Sequence, residues 1–186
     1  MDLHTHLDTI LDELRRTLAQ LDADQAARFV EAICGASRIF IAGAGRSGLM
    51  MRAFAMRLMH LGYPVYVVGE TVTPGIGKGD LLVIGSGSGA TASLVGHAER
   101  AGSTGATVGL ITIRPDTPIG RTAGILLTIP APSPKIGQDA GLRSEQPMGS
   151  LFEQSLMLTL DALVLLLMEA TGQDAAAMFG RHANLE

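Results

Sequence analysis

The stretch that most restricts how this chain can fold runs from Leu81 to Ser93, Leu-Leu-Val-Ile-Gly-Ser-Gly-Ser-Gly-Ala-Thr-Ala-Ser. An apolar run with β-branched residues stops at a glycine, hydroxyls and glycines alternate, and a helix-compatible segment follows. This predicts a strand, a cradle and a helix start. Glycine lets backbone approach an anion closely, and Ser86, Ser88 and Thr91 each carry a hydroxyl proton that a phosphate oxygen can accept. The free N–H groups of the helix's first turn face the same place. Gly87 and Gly89 complete the loop, which reads as a phosphate site without a lysine.

Strands and helices alternate on either side of it. Arg38 to Ala42 reads as a first strand, a helix spans about Leu49 to Leu61, and Val65 to Val68 is a second strand. After the cradle come a helix from about Thr91 to Ala101, a strand at Thr107 to Ile113, a short helix at Ile119 to Thr122 and a strand at Ile125 to Ile129. This order implies α/β architecture: a five-stranded parallel sheet, doubly wound, in a flavodoxin- or Rossmann-like α/β/α sandwich. Gly43-Ala44-Gly45-Arg46-Ser47-Gly48 after the first strand matches Gly-x-Gly-x-x-Gly, and Glu70 follows at the distance at which an NAD site holds its ribose. Two features count against NAD. The chain has no second domain for a substrate, and that reading leaves the second glycine-hydroxyl loop without a task.

Ahead of the sheet, Leu3, Leu7, Ile10, Leu11, Leu14, Leu18 and Leu21 form one apolar stripe on a helix of about five turns. Asp22 and Gln25 resemble a capping box that opens a second helix ending near Cys34. Nothing chemical is visible in this region, and the stripe is expected to pack a partner subunit. Pro130 to Pro147 holds four prolines and is long for a connection, which marks a functional or disordered loop. Met148 to Ala170 returns to an apolar helix; its most apolar part, Ala162 to Met168, is too short to span a bilayer. The domain layout is therefore residues 1–35 as N-terminal helices, 36–130 as the sheet core, 131–147 as a loop and 148–186 as a C-terminal helix and tail.

Composition sets the class of partner. With 186 residues, one domain is expected; hydrophobic residues at 47% and charged residues at 17% leave apolar surface over for subunit contacts. Net charge is −4, the lysines are Lys78 and Lys135 alone, and Trp is absent, so nucleic acid is not the expected partner. The single Cys34, read as a small buried hydrophobe, fits a reducing cytoplasm. There is no basic-then-apolar start of the kind an export signal has, and His4 and His6 stand two apart, so no metal site is expected.

Ile-Ala-Gly-Ala-Gly-Arg-Ser-Gly, Met-Arg-Leu-Met-His-Leu-Gly, Gly-Ser-Gly-Ser-Gly-x-Thr, Met-Gly-Ser-Leu-Phe-Glu-Gln and the terminal Arg-His-Ala-Asn-Leu-Glu together resemble the 6-phospho-3-hexuloisomerases, members of the sugar isomerase (SIS) domain superfamily. The resemblance covers nearly the whole chain. It implies interconversion of D-arabino-3-hexulose 6-phosphate and fructose 6-phosphate in the ribulose monophosphate route of formaldehyde fixation, by a homo-oligomer, commonly a tetramer. It further implies a phosphate site from Ser47, Ser86, Ser88 and Thr91, with Glu153 as base; no cofactor is expected, since glycine-serine loops and helix ends can hold the phosphate and hydrogen bonds can stabilise the enediolate. The family commonly carries Glu where this chain has Ala90.

Moving the carbonyl between C3 and C2 passes through a 2,3-enediol, so the site needs a base and a group to serve the enediolate oxygens. A partly desolvated carboxylate suits the first task, and Glu153 at an otherwise apolar helix start meets it. By residue type His60, His182 and Arg46 are candidates for the second, His182 only if the tail folds back or reaches a neighbouring subunit. His97 reads as solvent-facing. The alternatives are another phosphosugar isomerase of the superfamily and a non-catalytic phosphosugar sensor.

Overall fold

The computed structural model describes residues 2–133 and 143–185. Two N-terminal helices, α1 (Leu3–Leu18) and α2 (Ala23–Gly35), precede β1 (Ile39–Gly43), α3 (Gly45–His60), β2 (Val65–Val67), β3 (Leu81–Gly85), α4 (Ala92–Ser103), β4 (Thr107–Thr112), β5 (Ile125–Thr128), α5 (Ser150–Thr171) and a short α6 (Ala175–Phe179). The strands form one sheet in the order β2-β1-β3-β4-β5, and every pair is parallel. The doubly wound α/β/α fold is as the sequence predicts.

Alternation along the strands explains the two layers. Ile39, Ile41, Leu81 and Val83 face a core shared with α2, α3 and α5; Phe40, Ala42, Leu82 and Ile84 face α4. Successive strand residues point to opposite faces, so strands buried on both sides must be apolar throughout. Gly109 on β4 is the exception that fits. A Cβ there would stand 2.9 Å from the Phe29 ring, so the glycine makes room for α2 to lie on the sheet.

The glycines at the strand ends decide where a ligand can go. Gly43 of β1 pairs in register with Gly85 of β3, so both loops leave the sheet side by side and at one level. From β1 the chain crosses to β2 on one side, and from β3 to β4 on the other. That divergence opens a crevice at the carboxyl ends of the strands. A Cβ on Gly43 would lie 2.9 Å from the Gly48 Cα, and one on Gly48 would lie 2.8 Å from the Gly43 carbonyl oxygen. Gly45 has φ +57°, which lets α3 begin directly after the strand, four residues before the apolar pattern predicts.

Several local expectations are revised. The leucine stripe of α1 divides: Leu14 is buried and Ile10 and Leu18 pack on the core, while Leu3, Leu7 and Leu11 stay exposed. Asp22 caps α2 through the Asp24 and Gln25 N–H groups, but Gln25 does not reach back; its Oε1 accepts from the Thr128 N–H at 2.8 Å and ties α2 to β5. Residues 119–122 form a hydrogen-bonded turn rather than a helix. The Arg121 N–H reaches the Thr117 carbonyl and the Ala123 N–H the Ile119 carbonyl, but β5 begins at Ile125 and ends the segment before a helix is completed. Cys34 is exposed, 3.5 Å from the Tyr63 hydroxyl, not a core residue.

The apolar run at 162–168 belongs to a helix of 22 residues, α5, which by length and a mean hydropathy of 1.7 could cross a membrane, yet half of that window is buried in the protein. Its inner face packs on α1, α2 and α3, and Leu158, Leu165 and Leu166 face outward. Residues 134–142 of the proline-rich loop lie outside the described residues.

The glycine seam gives a direct test. Gly48→Ala forces backbone apart at the β1–α3 junction, so we expect a loss of about 1–3 kcal/mol in urea unfolding, the range for overpacking. Gly35→Ala, with nothing within 4 Å of the new methyl, should leave stability nearly unchanged.

Candidate active site

The crevice holds a cavity of about 290 Å³. The loop after β1 contributes Gly45, Arg46 and Ser47, the loop after β3 contributes Ser86, Gly87, Ser88 and Thr91, and the start of α5 contributes Gly149, Phe152 and Glu153. Thus residues from three distant parts of the sequence, seven of the ten expected at the site, plus Glu153's neighbours, meet around one space. Leu94, Ile113, Met148 and Phe152 supply an apolar wall.

Three helices begin at this cavity, and none of their N-cap residues, Ala44, Thr91 and Gly149, makes a side-chain hydrogen bond to its own first turn. The first-turn N–H groups of α3, α4 and α5 and their dipoles make the space attractive to an anion. The hydroxyls are held by their own loop. Ser86 Oγ accepts from the Gly89 N–H at 3.2 Å, and Ser88 Oγ accepts from the Ala90 N–H at 3.3 Å. Each hydroxyl thereby spends a lone pair on its own loop and keeps its proton to donate.

The cradle is fixed from behind. The Gly87 carbonyl accepts from the Ile113 N–H and from Thr112 Oγ1, while the Gly89 carbonyl accepts from the Ile119 N–H. Gly89 is buried with φ +56°, and a Cβ there would collide with the Thr117 side chain. It shapes the loop and does not line the cavity. Ala90 is exposed and also stands outside the lining.

Glu153 sits in the first turn of α5, where the dipole favours a carboxylate. Its Oε2 lies 3.0 Å from Arg46 Nη1, and the same Nη1 donates to Ser150 Oγ at 3.0 Å. Glu153 is 18% exposed and Arg46 47%, so the acid is the more enclosed partner. Gly149 leaves room for it; a Cβ there would stand 3.4 Å from Glu153 Oε1. Met148, just before, has φ +59°, a left-handed conformation uncommon for a side chain of this kind, at the cavity rim.

The histidines lie elsewhere in the chain. His60 closes α3, whose first residues line the cavity, and sixteen residues of helix separate the two ends by about 22 Å. His60 is buried and its ring stacks on that of His182 at 5.5 Å. Burial, with Arg57 and His182 nearby, lowers the His60 pKa below its usual value. Arg57 Nη1 is 3.3 Å from His60 Nδ1, and Arg181 Nη1 donates to the His60 carbonyl at 2.9 Å, which seats the tail on α3. His97 is half-buried rather than solvent-facing, with a Nδ1 that finds no partner among the described residues. Glu70 is exposed and pairs with Arg52 of α3.

Sequence reasoning missed Ser150, Ser133 and Met148. Ser150 could have been found from its place three residues before Glu153, one helical turn away on the same face. Ser133 and Met148 reach the rim only through the fold.

Comparison with known proteins identifies the family. The SIS domain family matches residues 32–162. The chain belongs to the SIS domain family. Within it, the chain is 47% identical to the 3-hexulose-6-phosphate isomerase of Bacillus subtilis over 177 residues, 95% of each chain. It is 42% identical to the 3-hexulose-6-phosphate isomerase of Mycobacterium gastri, across all of this chain and 92% of the other. A Methanococcus jannaschii crystal structure, from which a 3-hexulose-6-phosphate isomerase function was inferred, superposes with a TM-score of 0.84 at 31% identity, covering 98% of this chain and 99% of that one.

In this SIS domain, the Ser88 hydroxyl is expected to hold the phosphate. Ser88→Ala should weaken sugar phosphate binding by about 0.5–3 kcal/mol, the range for hydrogen bonds that include charged partners. Calorimetric titration with fructose 6-phosphate checks it, and an unchanged affinity would remove Ser88 from the site.

Proposed function

We propose that this SIS domain protein is a 3-hexulose-6-phosphate isomerase, interconverting D-arabino-3-hexulose 6-phosphate and D-fructose 6-phosphate through a 2,3-enediol. The observation that carries the reading is the cavity in which two glycine-hydroxyl loops and the starts of α3 and α4 meet an enclosed carboxylate at the start of α5. Its high identity to curated isomerases of this substrate favours a 3-hexulose phosphate over other phosphosugars.

Ser47, Ser86, Ser88 and Thr91, with the N–H groups of α3 and α4, bind the phosphate. Glu153 takes the proton from C2 of the 3-keto sugar and returns one at C3, and in the other direction works from C3 to C2. As Glu153 takes the proton it is neutralised, and the Arg46 guanidinium beside it is left to offset the charge on the enediolate, whose hydroxyl proton passes from O2 to O3 before C3 is reprotonated. A base in this position contributes only if the sugar carbon lies against it; the phosphate sites opposite Glu153 provide that orientation.

The protein acts as a homo-oligomer, a tetramer as its resemblance to the hexuloisomerases implies, in the cytoplasm, in the assimilation of formaldehyde. Two features support an oligomer. Leu3, Leu7 and Leu11 of α1 and Leu158, Leu165 and Leu166 of α5 are exposed on helices that pack together. His60 and His182 lie at the far end of α3, so either could serve as acid or ring opener only at the cavity of a neighbouring subunit. The apolar faces are then subunit contacts and not lipid-facing surface, and neither membrane nor nucleic acid is a partner.

Glu153→Gln keeps the shape of the side chain and removes its basicity. We expect turnover in either direction to fall about 10²–10⁴-fold, the usual share of a general base, with fructose 6-phosphate binding retained. Turnover within about twofold of wild type would show that another group takes the proton.

A further inference from the structure

Glu13 of α1 is a buried acid in a region whose sequence shows no chemistry; it is 3% exposed. Its Oε2 accepts from Ser144 Oγ at 2.7 Å and from Gln146 Nε2 at 2.9 Å, and its Oε1 accepts from the Glu145 N–H at 2.7 Å. The Gln146 N–H also donates to Ser144 Oγ at 3.1 Å. One carboxylate therefore gathers three consecutive residues onto a helix more than 130 positions away.

Those three residues lead straight into the active site. Pro147 follows, with φ fixed by its ring, then Met148 in its left-handed conformation and Gly149, both on the cavity rim. The Ser150 N–H donates to the Pro147 carbonyl and the Glu153 N–H to the Gly149 carbonyl, so the first turn of α5 grows from this anchored segment. Ser150 and Glu153 then both meet Arg46. From Glu13 to Glu153 the path is a continuous series of short, directional contacts.

We propose that Glu13 is a positioning residue for the isomerase reaction, holding the Ser144–Gln146 segment so that the start of α5 presents Glu153 to the sugar. This rests on the isomerase reading of the cavity. A carboxylate is suited to the task because it accepts several hydrogen bonds at once and donates none. Burial alone would push the Glu13 carboxyl up; the hydrogen bonds from Ser144, Gln146 and the Glu145 N–H, with Arg16 nearby, outweigh it and hold the group below its ordinary value. It is therefore charged at neutral pH. The backbone after β1 is fixed by the close approach of Gly48 to Gly43, and that after β3 by the Ile113 and Ile119 N–H groups, so loss of Glu13 should disturb the base and spare the phosphate.

The test compares Glu13→Gln, the loop-side double variant Ser144→Ala/Gln146→Ala, and their combination. Turnover of fructose 6-phosphate is expressed per binding site titrated calorimetrically with the same sugar phosphate, which removes any unfolded fraction from the count. Each variant should lose about tenfold or more in kcat per site, as small misplacements of reacting groups do, while its affinity stays within about twofold. The combination should lose no more than the worse of the two, since both break one clamp. If Glu13→Gln does not fold, the loop-side variant decides alone, because it leaves α1 untouched. Wild-type kcat per site in the folded variants overturns the proposal, as does a loss of activity matched by the loss of binding sites. A wild-type protein that binds the sugar phosphate and never turns it over sinks the isomerase reading itself, and the role of Glu13 with it.

Discussion

The site depends first on how closely α3 approaches the ends of β1 and β3. Gly43 and Gly85 stand side by side in the sheet, and Gly48 of α3 lies against the Gly43 backbone where no Cβ would fit. Met51 of the same helix fills the space above Gly85. Because the helix is drawn down onto the strand ends, its first N–H groups and Arg46 stand at the mouth of the crevice that the strand order opens. A parallel sheet could form with bulkier residues at those points, but the helix would ride higher, and the anion site would be lost before the fold was.

A second constraint is electrostatic. On the isomerase reading the cavity holds a phosphate dianion and a carboxylate base within one small space, and like charges at short range repel most strongly where water is excluded. The protein separates their support. On that reading hydroxyls and helix starts meet the phosphate, while the Arg46 guanidinium lies on Glu153. The carboxylate is thus oriented by the same side chain that offsets its charge, and Ser150 steadies that side chain from below. Behind the rim, Glu13 does for the backbone what Arg46 does for the base: a single group fixes the direction of several others.

Much of this was legible in the sequence because it is local. A β-branched run ending at a glycine, followed by hydroxyls and a helix pattern, can do little else in an α/β chain, and both loops lie where such runs place them. Helix limits shifted where glycine geometry, not apolar spacing, sets them, as at Gly45. Gln25 left its capping box for the β5 backbone because a buried strand edge needs an acceptor more than an exposed helix end does. Glu13 was illegible, since a charged residue in an amphipathic helix looks solvated until a loop from the other end of the chain covers it. His60 and His182 share one location, 16 residues of helix from the cavity, because the tail folds back onto α3, a contact that no spacing in the sequence announces.

The central claim is that this crevice makes an enediol from a phosphorylated ketose. Incubating the full-length protein with fructose 6-phosphate in deuterium oxide, and following the C3 proton by NMR, tests that step without needing the 3-keto sugar in hand. The account predicts loss of the C3 proton signal, catalysed by the protein. Saturable binding of fructose 6-phosphate with the C3 proton fully retained would contradict it.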